Sequence, residues 1–162
     1  MGLFDLFKED TDKVRETKIN SPFELFSFDF SNIPDETLKK IDEGETEEGI
    51  KFTISRKWLE RKELDIFDTI EVVEFDTGGK NFVFTGSTFS HNNISRIKNI
   101  INSLYSYYGP DDLGEGKFDR DDEAILRDGI WTGRMWNSHP NKPHVMITGY
   151  PEEGWSLAIW TN

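Results

Sequence analysis

The clearest candidate for metal chemistry is an acidic run that follows Pro110. Counted from Asp111, the run has acids at relative positions 1, 5, 9 and 12 and a glycine at position 6, a partial match to a calcium-binding loop. Position 3 is Leu113, which offers no side-chain oxygen, and position 12 is an Asp, shorter than the preferred bidentate Glu. We therefore assign no metal and interpret the run as a solvated acidic loop, with calcium as the alternative. The calcium candidates are Asp111, Glu115, Asp119 and Asp122.

The histidines and glycines do not form a recognisable catalytic motif. His139 and His144 flank a predicted turn, so we interpret them as exposed turn residues, and a site at His91 would need a carboxylate neighbour that spacing does not identify. Gly78-Gly79 lies inside a predicted hairpin, and no Gly-x-Ser-x-Gly elbow is present. The sequence therefore assigns no catalytic residue and no cofactor, and it favours a protein that is not an enzyme.

Aromatic residues near the C-terminus are the remaining candidates for a binding site. Four of the five tryptophans lie between residues 131 and 160, in three predicted strands. Alternation places Trp155, Leu157 and Ile159 on one face, which we interpret as core. The opposite face is predicted to be a semi-polar aromatic surface suited to a protein partner or a flat ligand, although a second layer covering it would make it core instead. Its predicted members are Arg134, Trp136, His144, Met146, Tyr150 and Trp160.

A hairpin and a helix are the elements expected to hold these residues in place. Residues 70–75 and 81–85 alternate as strands around a turn that contains Gly78-Gly79. The following helix, at about residues 93–108, carries an apolar stripe at spacings of three and four, which predicts that it packs on the sheet. The stripe consists of Ile94, Ile97, Ile101, Leu104 and Tyr108.

The remaining patterns complete a prediction of fold. Strands are predicted at residues 25–30, 52–54, 130–136, 144–150 and 155–160, and short helices from Pro34 to about Ile41, over residues 56–64 and over residues 121–127. The acidic run from Asp42 to Gly49 is predicted to be a loop. Together these elements predict one α+β domain over residues 19–162, with an antiparallel sheet of about five or six strands, one main helix on one face and short additional helices. Residues 1–18 are predicted to be an N-terminal tail.

Charge and composition narrow the classes of partner. The 19 Lys and Arg against 31 Asp and Glu give a net charge of -12, which disfavours nucleic acid. The absence of cysteine fits a reducing compartment. The sequence has no apolar run long enough to indicate a signal peptide or a membrane-spanning helix. We therefore expect a soluble cytoplasmic protein. An apolar cluster near the N-terminus could dock on the domain, a partner or a membrane surface. The cluster consists of Leu3, Phe4, Leu6 and Phe7.

These observations predict a non-catalytic, acidic protein-interaction module that binds a protein partner through its C-terminal aromatic face or shields a basic partner with its carboxylates, as small inhibitor or immunity-type proteins do. The alternative is a small-ligand-binding protein or enzyme with a pocket between the C-terminal meander and the main helix. That pocket would use Arg134, Tyr150, His144 and either Asp119 or Asp121 as its polar groups.

Overall fold

One antiparallel sheet of seven strands organises the chain. The computed structural model describes residues 17–26, 33, 35–59, 66–87, 91–128, 130–150 and 154–161. The strands are β1 (Lys39–Glu45), β2 (Lys51–Trp58), β3 (Thr69–Phe75), β4 (Lys80–Gly86), β5 (Trp131–Trp136), β6 (His144–Tyr150) and β7 (Gly154–Thr161). They lie in the order β1-β2-β3-β4-β7-β6-β5, with every neighbouring pair antiparallel. The predicted α+β class is confirmed, with seven strands in place of the five or six expected.

The predicted hairpin and main helix are both present. Strands β3 and β4 pair around a turn in which Gly78 adopts a φ of 93°, a conformation that favours glycine. The helix α1 (His91–Tyr108) follows β4, and a shorter helix, α2 (Arg120–Asp128), precedes β5. Gly109 ends α1 in the left-handed region, with a φ of 88°, and its N–H donates to the Tyr105 carbonyl at 2.8 Å.

The apolar stripe of α1 is buried against one face of the sheet, which we call the covered face. Residues opposite each other in neighbouring antiparallel strands share a face, so the strand register assigns every side chain to one side. Strands β3 to β7 provide twelve buried side chains to this face. They are Ile70, Val72, Phe82, Phe84, Trp131, Arg134, Trp136, Val145, Ile147, Trp155, Leu157 and Ile159.

The other helical segments also pack on the covered face. A 3-10 turn, Pro22–Leu25, brings Phe23 into an edge contact with Phe82, and the ring of Phe26 stacks on Phe84. Leu126 of α2 lies where a Cβ on Gly149 would point. The opposite side of the sheet therefore carries none of α1, α2 and this turn, and we call it the open face.

The predictions are wrong in the region that leads into the sheet. The helix expected from Pro34 to about Ile41 is a 3-10 turn at Asp35–Thr37, after which β1 begins at Lys39. Part of the predicted acidic loop, residues 42–45, belongs to β1, and residues 56–58 of the second predicted helix belong to β2. All seven residues of β1 are exposed, so this edge strand has no alternation of apolar and polar residues to reveal it.

Several N-terminal predictions fall outside the described residues. These include the tail up to residue 16 with its apolar cluster, and most of the strand predicted at residues 25–30, of which Leu25 lies in the 3-10 turn. The second predicted helix is also undescribed from residue 60 to its predicted end at residue 64, and the chain is described again from Ile66.

We predict that Leu104→Ala lowers the free energy of unfolding by about 2–5 kcal/mol, because Leu104 is fully buried between α1 and the covered face. Leu113→Ala makes the same change at an exposed loop position and should alter stability by about 0.5 kcal/mol or less. Urea unfolding of both variants measures the two effects. Equal losses would contradict the assignment of α1 to the core.

Candidate functional site

The structure divides the six predicted site residues between the two faces of the sheet. Arg134 and Trp136 lie opposite Ile147 and Val145 on the covered face and are 1% and 0% exposed. The other four point to the open face: His144 lies opposite Trp160, Met146 opposite Ala158 and Tyr150 opposite Gly154. The six residues therefore do not form one surface, but four of them share the open face.

A bulge in β5 gives that strand its unusual arrangement. The register of β5 against β6 shifts between Trp131 and Arg134, so Trp131 and Trp136 both point to the covered face although they are five positions apart. Gly133 adopts a φ of 76° at the shift, and a Cβ there would lie 1.6 Å from the Ile147 carbonyl oxygen. A glycine inside a strand is the signal in the sequence that could have revealed the bulge.

Arg134 is a structural residue whose donors are used inside the protein. Its Nη2 lies 2.7 Å from Asp122 Oδ2, and its Nε and Nη1 donate to the carbonyls of Gly116 at 2.6 Å and Gly133 at 2.9 Å. The second carboxylate oxygen of Asp122 accepts from Trp131 Nε1 at 2.8 Å. Pairing of this kind is what a buried charge requires, and it leaves Arg134 directed away from the open face.

The acidic loop uses its carboxylates as internal acceptors. Asp111 accepts from the backbone N–H groups of Leu113, Glu115 and Gly116 at 2.8–3.3 Å. Asp119 caps α2 by accepting from the N–H groups of Asp121 and Asp122, and Asp122 accepts from the Asp119 N–H in return. In the described part of the chain, no three His, Asp or Glu side chains are grouped as a metal site would require. This geometry weighs against the calcium-loop interpretation.

Aromatic and polar contacts fix the turn between β5 and β6 to the end of α1. The buried Tyr108 hydroxyl donates to the Pro143 carbonyl at 2.6 Å, and Lys142 Nζ donates to the Tyr107 carbonyl at 2.7 Å while lying over the Tyr107 ring. Trp136 Nε1 donates to the Gly109 carbonyl at 3.0 Å. The turn that leads into His144 is therefore held in one place.

Asp112 ties the loop after α1 to the same turn. Its carboxylate accepts from the Ser138 hydroxyl at 2.6 Å and from the N–H groups of Asn137 and Ser138. The hydrogen bonds from the Ser138 hydroxyl and the Asn137 N–H hold the pKa of Asp112 below its ordinary value. These contacts position Asn137 beside the start of β6.

The open face has an apolar band across its middle strands. Its members are half-buried rather than sealed in a core, and they come from five of the seven strands. On the four neighbouring strands β2, β3, β4 and β7, the acidic and basic side chains of this face are Arg56 and Glu71. They pair with each other at 2.8 Å from Nε to Oε1. The band consists of Phe52, Ile54, Val73, Phe75, Val83, Met146 and Trp160.

A cavity of about 470 Å³ lies at one end of this band. Phe75, Asn81, His144 and Trp160 line it from the open face, and Asn137 lines it from the loop after β5. The imidazole of His144 has no hydrogen bond or ion pair with another described residue. The cavity thus combines two aromatic rings with amide and imidazole groups, a lining that suits an amphipathic side chain or a small planar ligand.

The polar groups of the alternative enzyme pocket are not brought together. Arg134 lies on the covered face and Asp119 caps α2, whereas His144 and Tyr150 lie on the open face. Asp121 is exposed on α2. To line one pocket, these side chains would have to converge on one point, and they do not.

Comparison of the chain with protein-family models, with curated proteins and with solved structures finds no match in any of the three. Among the described residues, no helix is both long enough and apolar enough to cross a membrane. The functional interpretation therefore depends on the geometry of the chain itself.

We predict that Asp122→Asn lowers the free energy of unfolding by about 3–5 kcal/mol, because it leaves the Arg134 guanidinium buried without its counter-charge. Glu123→Gln removes one partner of the exposed Glu123–Arg127 pair and should cost about 1 kcal/mol or less. Chemical denaturation compares the two variants. Losses of similar size would contradict the structural role assigned to Arg134.

We also predict a loss of stability at alkaline pH that Tyr108→Phe reduces. Burial, and secondarily the neighbouring Tyr107, raises the pKa of the Tyr108 hydroxyl, so the folded protein keeps a proton that the unfolded chain begins to lose at about pH 10. The stabilisation is complete below that pH and declines as the pH rises above it. Urea unfolding at about pH 9 and pH 11 measures the decline. A decline that Tyr150→Phe reduces as much as Tyr108→Phe would contradict this account.

Proposed function

We propose that this protein is a non-catalytic interaction module that binds a protein partner through the open face of its sheet. The observation that carries this proposal is the apolar band, in which aromatic and aliphatic side chains remain half-buried on the open face. On strands β2, β3, β4 and β7, the acidic and basic groups of this face form one ion pair. A contiguous surface of this composition, with Trp, Phe and Met at its centre, is typical of protein-binding sites.

The charge of the chain supports a basic partner. The net charge of -12 creates a negative potential around a binding face that itself carries little charge. A positively charged protein would therefore be attracted over a long range and then held by apolar contacts, and added salt would slow its association. Acidic inhibitors and immunity-type proteins act in this way, and we place the protein in that functional class.

The packing of the covered face weighs against the alternative of a ligand pocket between the meander and the main helix. On α1, Ile97, Ile101 and Leu104 are fully buried, and on the meander Val145 and Leu157 are fully buried too. Close-packed side chains fill the space that the pocket would need. A small-ligand-binding protein or enzyme would require a different site.

We predict that the double substitution Val83→Thr and Met146→Gln weakens partner binding by about tenfold or more, because it places polar groups of similar volume in the apolar band. The matched control is Leu113→Gln with Ile125→Thr, which makes comparable changes at exposed positions outside the open face. Both variants keep the net charge. A partner captured from host-cell extract by the wild type is purified, and its affinity for each variant is measured by calorimetry.

Equal affinity of the wild type and the open-face variant would contradict the proposal, provided that both unfold at the same urea concentration. So would a purified partner whose association rate does not change with salt. Failure to capture any protein at all from the host would also count against an interaction module.

A further inference from the structure

The strand β1 is a free edge of the sheet, because it pairs with β2 on one side and all seven of its residues are exposed. The Asp76 N–H donates to the Lys51 carbonyl at 3.0 Å, so Lys51 directs its backbone groups toward β3. Its opposite residue, Glu45, therefore directs its N–H and carbonyl away from the sheet, and alternation gives Glu43 the same direction. A further strand would bond to these outward groups.

One local contact competes for the outward groups. The Glu43 N–H donates to the carboxylate of the neighbouring Asp42 at 2.8 Å, at an exposed position. Among the residues that the structure describes, the carbonyl of Glu43 and the two backbone groups of Glu45 make no hydrogen bond. Most of the hydrogen-bonding capacity of this edge is therefore available to a partner.

Lysines and bulges usually protect an edge strand from pairing, and β1 has them in its first half. Lys39 and Lys40 begin the strand, and the register against β2 shifts between Lys40 and Asp42. The second half, residues 42–45, keeps a regular register with β2 and contains no lysine. This half of β1 lacks the features that would prevent another strand from pairing with it.

The two sides of residues 42–45 differ in chemistry. The register places the side chains of Glu43 and Glu45 on the same side as the covered face, where both are exposed. On the open face Gly44 lies opposite Phe52, and a Cβ on Gly44 would lie 2.7 Å from Phe52 Cζ. The Phe52 ring therefore lies over Gly44 and extends the apolar band to the edge of the sheet.

We infer that residues 42–45 are the docking site for an extended, basic segment of the protein partner, which adds to the sheet as a further strand. The backbone of the segment bonds to the outward groups of Glu43 and Glu45. Two basic side chains lie opposite these carboxylates, and the apolar side chain between them lies beside Gly44 against the Phe52 ring. This inference rests on the proposed function and adds the edge of β1 to the surface that the partner contacts.

Charge complementarity supports a basic segment. Five of the seven residues from 42 to 48 are acidic and none is basic. Glu43 pairs with the exposed Lys40, whereas Glu45 has no ion pair among the described residues. Because an exposed ion pair contributes little, an arginine of the segment replaces the Lys40 contact at small cost.

A second copy of this chain is a poorer occupant of the edge. Antiparallel pairing of residues 42–45 with the same residues of another copy would set Asp42 of each copy opposite Glu45 of the other. Like charges directly opposite each other destabilise a sheet, and the net charge of -12 on each copy adds to the repulsion.

A labelled peptide tests the inference without knowledge of the natural partner. The probe is fluorescein-labelled Gly-Arg-Val-Arg-Val-Arg-Gly, in which basic and apolar residues alternate. The comparison peptide, Gly-Val-Val-Arg-Arg-Arg-Gly, has the same composition and charge without the alternation. Fluorescence anisotropy measures binding of each peptide to the full chain. We expect the alternating peptide to bind at least fivefold more tightly, and equal affinities would show that charge alone attracts it and would overturn the inference.

Methylation of the peptide amides tests the backbone pairing directly. One form of the alternating peptide is methylated at its arginine amides and a second form at its valine amides, so that each form loses the donors on one edge. Because a single edge of the added strand faces β1, we expect one form to lose at least tenfold in affinity and the other to stay within about twofold. Equal effects of the two methylations would contradict strand addition.

Matched variants locate the site on β1. The double substitution Glu43→Gln and Glu45→Gln should weaken binding of the alternating peptide at least fivefold. The control, Glu47→Gln with Glu48→Gln, makes the same change of charge in the adjoining turn and should weaken it less than twofold. Equal effects of the two charge variants would reveal diffuse attraction and overturn the inference.

A proline at the edge removes an outward donor. Glu45→Pro deletes the outward N–H and is compatible with an edge strand, so it should weaken binding of the alternating peptide beyond the effect of Glu45→Gln. Urea unfolding establishes that both variants are folded. Equal affinities of the two folded variants would contradict backbone pairing at this position, and if the proline variant does not fold, the methylated peptides decide the question.

The natural partner separates this inference from the proposed function. If binding is lost by Val83→Thr with Met146→Gln but kept by Glu43→Gln with Glu45→Gln, the open face binds a protein and the assignment of the edge is wrong. A partner lost by the β1 variant alone supports the edge and contradicts the open-face contact. If sedimentation shows a dimer that the β1 variant abolishes, the occupant is a second copy and the inference is overturned.

Discussion

Burial of α1 against the covered face is the interaction on which the rest of the structure depends. The helix contributes a continuous apolar stripe, and strands β3 to β7 supply the residues that meet it. Because successive side chains of a strand point to opposite sides, fixing one set of residues under the helix fixes the other set on the open face. Packing of the core thus determines which residues lie on the open face, but it does not require them to be aromatic or aliphatic.

The buried ion pair between Arg134 and Asp122 joins three parts of the chain to this core. It connects the bulged strand β5, the first turn of α2 and, through the carbonyl of Gly116, the acidic loop. The bulge at Gly133 places Arg134 and two tryptophans on the covered side together. Asp112 and Tyr108 then attach the neighbouring turn, so that the edge of the sheet beside His144 is held by hydrogen bonds as well as by packing.

Local patterns were sufficient for the elements that have strong periodicity or glycine turns. The β3–β4 hairpin, α1 and the C-terminal meander each have at least one of these features, and each is where the sequence places it. The first strand could not be found in this way, because β1 has charged residues on both sides. It forms by pairing with β2, and the local sequence of β1 does not indicate that pairing. The candidate site could be predicted only in part. The alternation of side chains along β6 and β7 places His144, Met146, Tyr150 and Trp160 on one face. The bulge in β5 places Arg134 and Trp136 on the other face.

The five tryptophans provide the most direct test of the central claim, that the sheet has one packed face and one face available to a partner. Their indole N–H signals are recorded by NMR in the full chain with a soluble paramagnetic probe. The account predicts broadening of Trp58 and Trp160 on the open face and protection of Trp131, Trp136 and Trp155 on the covered face. Protection of Trp160 to the same degree as Trp136 would mean that the open face is already occupied, and would contradict the account.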